Sequence, residues 1–138
     1  MNTESCDIEE YPLFGGKFCM RFFSVYKTWQ EAQEVCTQDG GQLLSMKSDD
    51  FFLKKEVLAK IDQGRKYWIG GNKLGTEGIW RWSNGSKIEN NQWLPNQPLN
   101  NFLAGVGGCM HFNQDNVHLF GETFCGVILW FVCEKLNL

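Results

Sequence analysis

Apolar and polar positions in the first forty residues predict a strand followed by a helix. Residues 20–23 carry two adjacent aromatic side chains and are strand-like. Further on, the spacing of Thr28 and Glu31 is that of a capping box, in which the hydroxyl accepts from a helical amide and the carboxylate reaches back. The Gly40-Gly41 pair can adopt the left-handed conformation that terminates a helix. The pattern therefore predicts a helix over residues 28–39.

The same reasoning predicts a second helix and several more strands. The second helix covers about residues 49–61, and its lysines, which include Lys54, suit the negative end of the helix dipole. Its apolar face consists of Phe52, Val57, Leu58 and Ile61. Strands are predicted over residues 42–45, 67–70, 79–82, 109–112 and 127–133.

A long segment between the later strands, about residues 84–108, is rich in Asn, Gly and Pro and shows no helical period. A stretch of that length without regular structure is usually functional in a small domain. The chain contains neither an internal repeat nor a linker. The order of helices and strands predicts one domain of α+β class spanning residues 1–138.

Composition supports a folded domain and narrows its partners. Of 138 residues, 43% are hydrophobic and 14% are aromatic, which is enough for a substantial core. We assign to that core Trp68, Trp80, Trp82, Trp93 and Trp130. A formal net charge of -3 with scattered charges gives no reason to expect a nucleic-acid partner. The apolar run at residues 127–132 is too short to span a membrane.

Six cysteines stand at wide spacings, at positions 6, 19, 36, 109, 125 and 133. Zinc ligands usually come in pairs separated by a few residues, and these cysteines do not. An even number of cysteines in a short chain instead indicates a disulfide framework, and with it a secreted or extracellular location. Spacing alone does not select among the pairings that six cysteines allow.

Taken in order, these landmarks resemble the C-type lectin-like family along nearly the whole chain. The matching segments are the capping-box helix before Cys36 and residues 67–70, 78–85, 91–98 and 131–134. The resemblance implies two helices flanking small antiparallel sheets, a long loop, and an N-terminal hairpin at residues 6–19. It also implies three disulfides, Cys6–Cys19, Cys36–Cys133 and Cys109–Cys125.

In sugar-binding members of that family, a Glu-Pro-Asn or Gln-Pro-Asp triplet in the long loop ligates calcium and contacts sugar hydroxyls. The matching residues here are Gln97, Pro98 and Leu99, and a leucine side chain offers no lone pair to a metal. A shifted register over residues 94–96 also leaves a leucine in the acidic position. The resemblance implies a cis peptide bond before Pro98, whereas X-Pro bonds in general favour trans.

The remaining calcium positions implied by the resemblance are also poor in oxygen donors. At the sugar-binding site the matching residues are Gly107, Gly121 and Glu122, and at the auxiliary site they are Lys73, Glu77, Asn100 and Gly108. Calcium takes about six to eight oxygen ligands. We therefore expect no calcium at the family sites and no other cofactor.

The resemblance implies a recognition module rather than an enzyme, and no Ser or Cys lies in a nucleophile motif. The first hypothesis is a secreted domain of innate defence that binds a glycan or microbial surface through residues 94–108 and 113–122 without calcium. Its hydrogen-bonding contacts are Gln97, Asn100, Asn101 and Glu122. Asparagines in such a loop serve equally well as turn residues.

A second hypothesis is a protein-binding domain, either as a monomer or as a homodimer. The long segment holds apolar residues that would suit a protein partner, Leu99, Phe102, Leu103 and Val106.

Two further ideas are weaker. A metal site made of His111, His118 and Glu122 fits no common ligand spacing, so ordinary surface or core histidines are favoured. An ice- or mineral-binding surface would need a regular Thr or acidic array, which the sequence lacks.

Overall fold

The computed structural model describes residues 8–10, 17–46, 54, 58, 65–74, 79–88, 108–112 and 120–137; at 8–10, 17–18 and 136–137 it describes the backbone alone. One helix, α1, runs over Trp29–Gln38. The strands are β1 (Ile8–Glu10), β2 (Lys17–Lys27), β3 (Gln42–Leu43), β4 (Tyr67–Asn72), β5 (Gly108–Phe112), β6 (Phe120–Phe124) and β7 (Leu129–Asn137). The α+β class predicted from the sequence is confirmed.

The described strands form one seven-stranded sheet in the order β1-β2-β7-β4-β5-β6, with β3 also paired to β7. This differs from the small antiparallel sheets that the resemblance implied, because β4 and β7 are parallel and join the two halves. Their register sets Tyr67 beside Trp130 and Trp68 beside Phe131. Within β7, the consecutive residues Phe131, Val132 and Cys133 are all buried, so both faces of this central strand are covered here.

Helix α1 begins and ends within one residue of the predicted bounds, because its signals are local. The Thr28 Oγ1 accepts from the Glu31 amide at 3.2 Å, and the Glu31 carboxylate accepts from the Thr28 amide at 3.0 Å. That second bond lowers the pKa of Glu31. At the other end Gly40 adopts a φ of 90°, which a residue with a Cβ rarely adopts. The predicted capping box and glycine stop are both confirmed.

Two buried clusters make up the described core. Trp68 lies in the cluster that α1 covers, whereas Trp80 and Trp82 lie in the other. All three are buried as predicted, and Trp130 is partly buried. Trp93 lies outside the described residues. The buried indole N–H of Trp68 donates to the Lys27 carbonyl at 2.9 Å, so its polar atom is satisfied.

The predicted second helix is described at two positions, and both are helical and buried. Leu58 has no exposed surface and belongs to the core, as predicted. Lys54, which was expected to complement the helix dipole, instead has a different role. Its ammonium is buried and donates to Glu134 Oε1 at 2.6 Å and to the Ser45 carbonyl at 2.9 Å. The long-range partner could not be seen from the local charge pattern.

Residues 79–82 do not form a regular strand, so that prediction is wrong. Arg81 makes isolated bridges to Asn72 and Lys87, and a turn follows at once. Gly85, with a φ of 94°, completes that turn by donating to the Trp82 carbonyl at 2.8 Å. The segment therefore reverses after the two bridges of Arg81, while Trp80 and Trp82 remain in the core.

Two of the three predicted disulfides are present, Cys36–Cys133 and Cys109–Cys125. The first joins α1 to β7 across a sequence separation of 97, and the second joins the start of β5 to the end of β6 across 16. Cys19 is disulfide-bonded as well. Its predicted partner, Cys6, lies outside the described residues.

Candidate functional site

Of the four predicted ligand contacts, one lies among the described residues. Gln97, Asn100 and Asn101 lie outside the described residues, so their contact role stays a prediction. Glu122 is described, on β6. It meets Lys73, which follows β4, and Gly108, which begins β5. We call these three residues the loop-base corner.

Glu122 is enclosed by the loop-base corner. Its side chain has no exposed surface, and its Oε2 lies 3.1 Å from the Lys73 ammonium nitrogen. The same oxygen accepts from the Gly108 amide at 3.0 Å. The amide of Lys73 in turn donates to the Gly108 carbonyl at 2.9 Å. The carboxylate predicted to face a ligand thus points into the protein, and its direct contact with a ligand stays a prediction.

The strand that holds Glu122 was missed in the sequence, where residues 113–122 were assigned to the binding loops. Antiparallel pairing with β5 sets Glu122 beside Met110 and Phe120 beside Phe112. The signal available was short: Phe120 and Glu122 share a face with one residue between them. Such a two-residue alternation is too weak to identify a strand without its partner.

Gly108 contributes backbone alone to the corner and does so in a constrained conformation. Its φ is 114°, in the region that residues with a Cβ rarely adopt. The resemblance implied an acidic ligand at this position. An aspartate here would be strained, so the backbone itself is unsuited to presenting that ligand.

The described residues of this corner do not fit a calcium ion. A fixed ammonium already lies beside the Glu122 carboxylate, and the glycine supplies no side-chain oxygen. Among the residues with described placement, no group of three or more His, Cys, Asp or Glu could hold a metal. An ion that takes about six to eight oxygens would have to compete with Lys73 for the carboxylate.

His111 occupies a buried position on β5. Its side chain is buried, and its Nδ1 has no hydrogen-bond partner among the described residues. Burial, together with the charge of Lys66, lowers the pKa of His111 to about 4. The imidazole is therefore neutral near pH 7. His118, the other histidine of the hypothetical metal trio, lies outside the described residues.

We expect the free energy of unfolding to fall as the pH drops below about 6.5, because unfolded His111 binds a proton there. In the folded protein its pKa is about 4, so the folded state takes up that proton only at lower pH. The stability contributed by neutral His111 is fully present above the pKa of the unfolded state, and it is lost as the pH falls toward the pKa of the folded state. Between about pH 7.5 and about pH 5 the loss should be about 2 kcal/mol.

Urea unfolding at both pH values measures this effect. His111→Gln removes the titrating group, so its stability should change less between the two pH values. Gln30→Ala, a change at an exposed residue of α1, serves as the control and should keep the wild-type dependence. An unchanged pH dependence in His111→Gln would contradict the assignment.

The family is shown by a direct match. The model of the lectin C-type domain matches residues 25–135. The chain belongs to the C-type lectin family. The match includes α1, the strands from β3 to β6, the last residues of β2, most of β7, and the whole loop-base corner.

Individual relatives agree with this assignment. C-type lectin domain family 4 member F of Mus musculus is 32% identical over 134 residues, which are 92% of this chain and 23% of that protein. Galactose-specific lectin nattectin of Thalassophryne nattereri is 33% identical over 122 residues, 87% of this chain and 75% of nattectin. The cow CD23 carbohydrate-recognition domain, solved with a GlcNAc2Man3 oligosaccharide, has a TM-score of 0.73 at 25% identity and covers 88% of this chain and 89% of that one.

Several relatives are longer than this C-type lectin domain. The chain spans 23% of the mouse protein and 54% of two C-type lectins from Erythrolamprus poecilogyrus. Within the described part of the chain, no helix has the length and apolar character needed to cross a bilayer. The family consists in general of binding modules rather than enzymes, and the chain is accordingly a lectin-like binding module.

Proposed function

We propose that this C-type lectin domain is a secreted recognition module of innate defence that binds a glycan or a microbial surface without calcium. One observation carries the calcium-independent part. The Glu122 carboxylate, at a position where the family resemblance implies a calcium ligand, is paired with the Lys73 ammonium. A carboxylate already neutralised by a fixed cation is a poor ligand for a divalent ion.

In this proposal the amides of the long segment carry recognition. Gln97, Asn100 and Asn101 both donate and accept hydrogen bonds, which suits the hydroxyls of a sugar. Glu122 supports the base of the long segment, because its carboxylate binds the Gly108 amide and the Lys73 ammonium. Support for a glycan comes from the relatives, since nattectin is named as galactose-specific and the cow CD23 domain was solved with an oligosaccharide.

The expected result on a glycan array is binding of equal strength in excess EDTA and in millimolar calcium chloride. The double variant Gln97→Ala/Asn100→Ala should weaken binding about tenfold, since each lost hydrogen bond contributes about 0.5–1.5 kcal/mol. Gln30→Ala removes an exposed amide from α1 and is the matched control, which should bind as the wild type does. Binding that EDTA abolishes, or an array that stays blank in both buffers, would contradict the proposal.

A protein ligand is the alternative. The apolar residues predicted to contact it, Leu99, Phe102, Leu103 and Val106, lie outside the described residues. Exposed apolar side chains beside the loop-base corner favour this alternative. Leu74 is 45% exposed and Phe124 is 53% exposed, and both lie next to Gly108. Large exposed apolar residues that adjoin one another commonly mark a protein interface. Light scattering and the glycan array together separate the two proposals. A homodimer in solution, combined with a blank glycan array, supports the protein-binding alternative.

A further inference from the structure

We propose that the ammonium of Lys73 acts as a built-in cation, which takes the structural place of a bound metal ion in fixing the loop-base corner. The proposal deepens the calcium-independent part of the proposed function, but it concerns stability and does not require that the ligand be a glycan. It begins from the disagreement between the residues of this corner and a calcium site.

The first argument is the closed pattern of contacts. Lys73 directly follows β4, Gly108 begins β5 and Glu122 lies in the middle of β6, and these three strands are neighbours in the sheet. The Lys73 ammonium lies 3.1 Å from the Glu122 carboxylate. The Gly108 amide donates to that carboxylate at 3.0 Å, and the Gly108 carbonyl accepts from the Lys73 amide at 2.9 Å. Each residue is thus held by both of the others. The ammonium contacts the Glu122 carboxylate, and the backbone amide of the same lysine contacts the Gly108 carbonyl. Together these contacts link the three strands, as a shared metal ion would.

The second argument is electrostatic. The Glu122 side chain has no exposed surface, and a carboxylate removed from water is costly unless it is paired. Lys73, whose side chain is 16% exposed, supplies that charge. The Trp80 ring lies 5.6 Å from the ammonium nitrogen, within the range of a cation–π contact. The cation therefore has favourable partners on two sides.

The third argument is position. Gly108 is the residue at which the long segment rejoins the sheet, and Cys109, which follows it, is bonded to Cys125. A covalent link and an ionic one are therefore adjacent at the same point. Because the ammonium belongs to the side chain of Lys73, it is covalently part of the protein, and neither a chelator nor dilution can remove it.

A double-mutant cycle tests the proposal. Lys73→Met, Glu122→Gln and the double variant are compared with the wild type by urea unfolding near neutral pH. Each single variant should be destabilised, and the double variant should be less destabilised than the two effects predict together. The expected coupling is about tenfold in the unfolding equilibrium constant, or about 1.4 kcal/mol. Lys87→Met, a change at an exposed lysine, is the matched control and should leave stability nearly unchanged.

Calcium sensitivity of the wild type provides a second measurement that needs no variant. A bound ion stabilises a folded protein by mass action, so an occupied metal site would raise the thermal midpoint in calcium chloride relative to EDTA. We expect the same midpoint in both. A calcium-dependent rise, or additive effects of the two substitutions, would overturn the proposal. A blank glycan array would leave these two results unchanged, so the failure of one proposal is distinguishable from the failure of the other.

Discussion

Replacing Lys54 with methionine is expected to lower the free energy of unfolding by about 3–5 kcal/mol, the range for breaking one side of a buried ion pair. The Lys54 side chain is 4% exposed and that of Glu134 is 11% exposed. Methionine keeps an unbranched chain, one heavy atom shorter than that of lysine, and removes the charge. Glu134 would then retain its bonds from Ser45 at 2.9 Å and Gln42 at 3.1 Å while losing its cation.

Urea unfolding of Lys54→Met measures this loss, and a second substitution identifies its cause. Lys54→Met/Glu134→Gln removes the stranded charge, so it should recover part of the stability. Lys87→Met reports the effect of the same change at an exposed position and should alter stability by less than about 0.5 kcal/mol. If Lys54→Met behaves like Lys87→Met, the buried pair is not a stabilising contact in solution.

Removing the Cys36–Cys133 disulfide should cost about 4–5 kcal/mol, because it closes a loop of about a hundred residues. The bridge joins α1 to β7 with a sequence separation of 97. In the chain-entropy account, its main effect is to restrict the unfolded chain, and the restriction grows with loop length. Alanine is the appropriate substitute, since both cysteines are buried and a serine would add an unpaired hydroxyl.

The second disulfide offers a matched comparison within the same protein. Cys109–Cys125 closes a loop with a sequence separation of 16, for which the same account gives about 3 kcal/mol. Chemical unfolding of Cys36→Ala/Cys133→Ala and of Cys109→Ala/Cys125→Ala should therefore rank the longer bridge as the more stabilising. The reverse order would show that local packing, rather than loop length, determines the effect.

Features encoded by neighbouring residues could be predicted from the sequence. The capping box at Thr28 and Glu31 involves residues three apart, and it places the start of α1 within one residue. The buried tryptophans on β4 and at residues 80 and 82 follow from apolar character alone. The disulfide pairing required the family resemblance, because spacing by itself left all pairings open.

Features that depend on distant partners could not be predicted. Lys54 and Glu134 are 80 residues apart, and nothing near Lys54 indicates that its charge is buried. The sequence showed Lys73 as a departure from the family's calcium site and Glu122 as a carboxylate retained at a calcium position. Their attraction became visible when β4, β5 and β6 were seen to be adjacent. The sequence predicted that calcium ligands are missing from this site. The structure shows in addition that Lys73 and Glu122 form an ion pair there.

The pairing of β2 with β7 has a practical consequence for attaching the domain to something else. Lys17 and Asn137 are register partners, so the described chain starts β2 and finishes β7 at one spot on the sheet. β5 and β6, which carry Gly108 and Glu122, lie on the far side of β7 and β4 in the strand order. A biotin tag or a surface linker placed after Asn137 would start beside Lys17. Immobilisation there should leave β5 and β6, with Gly108 and Glu122, facing the analyte.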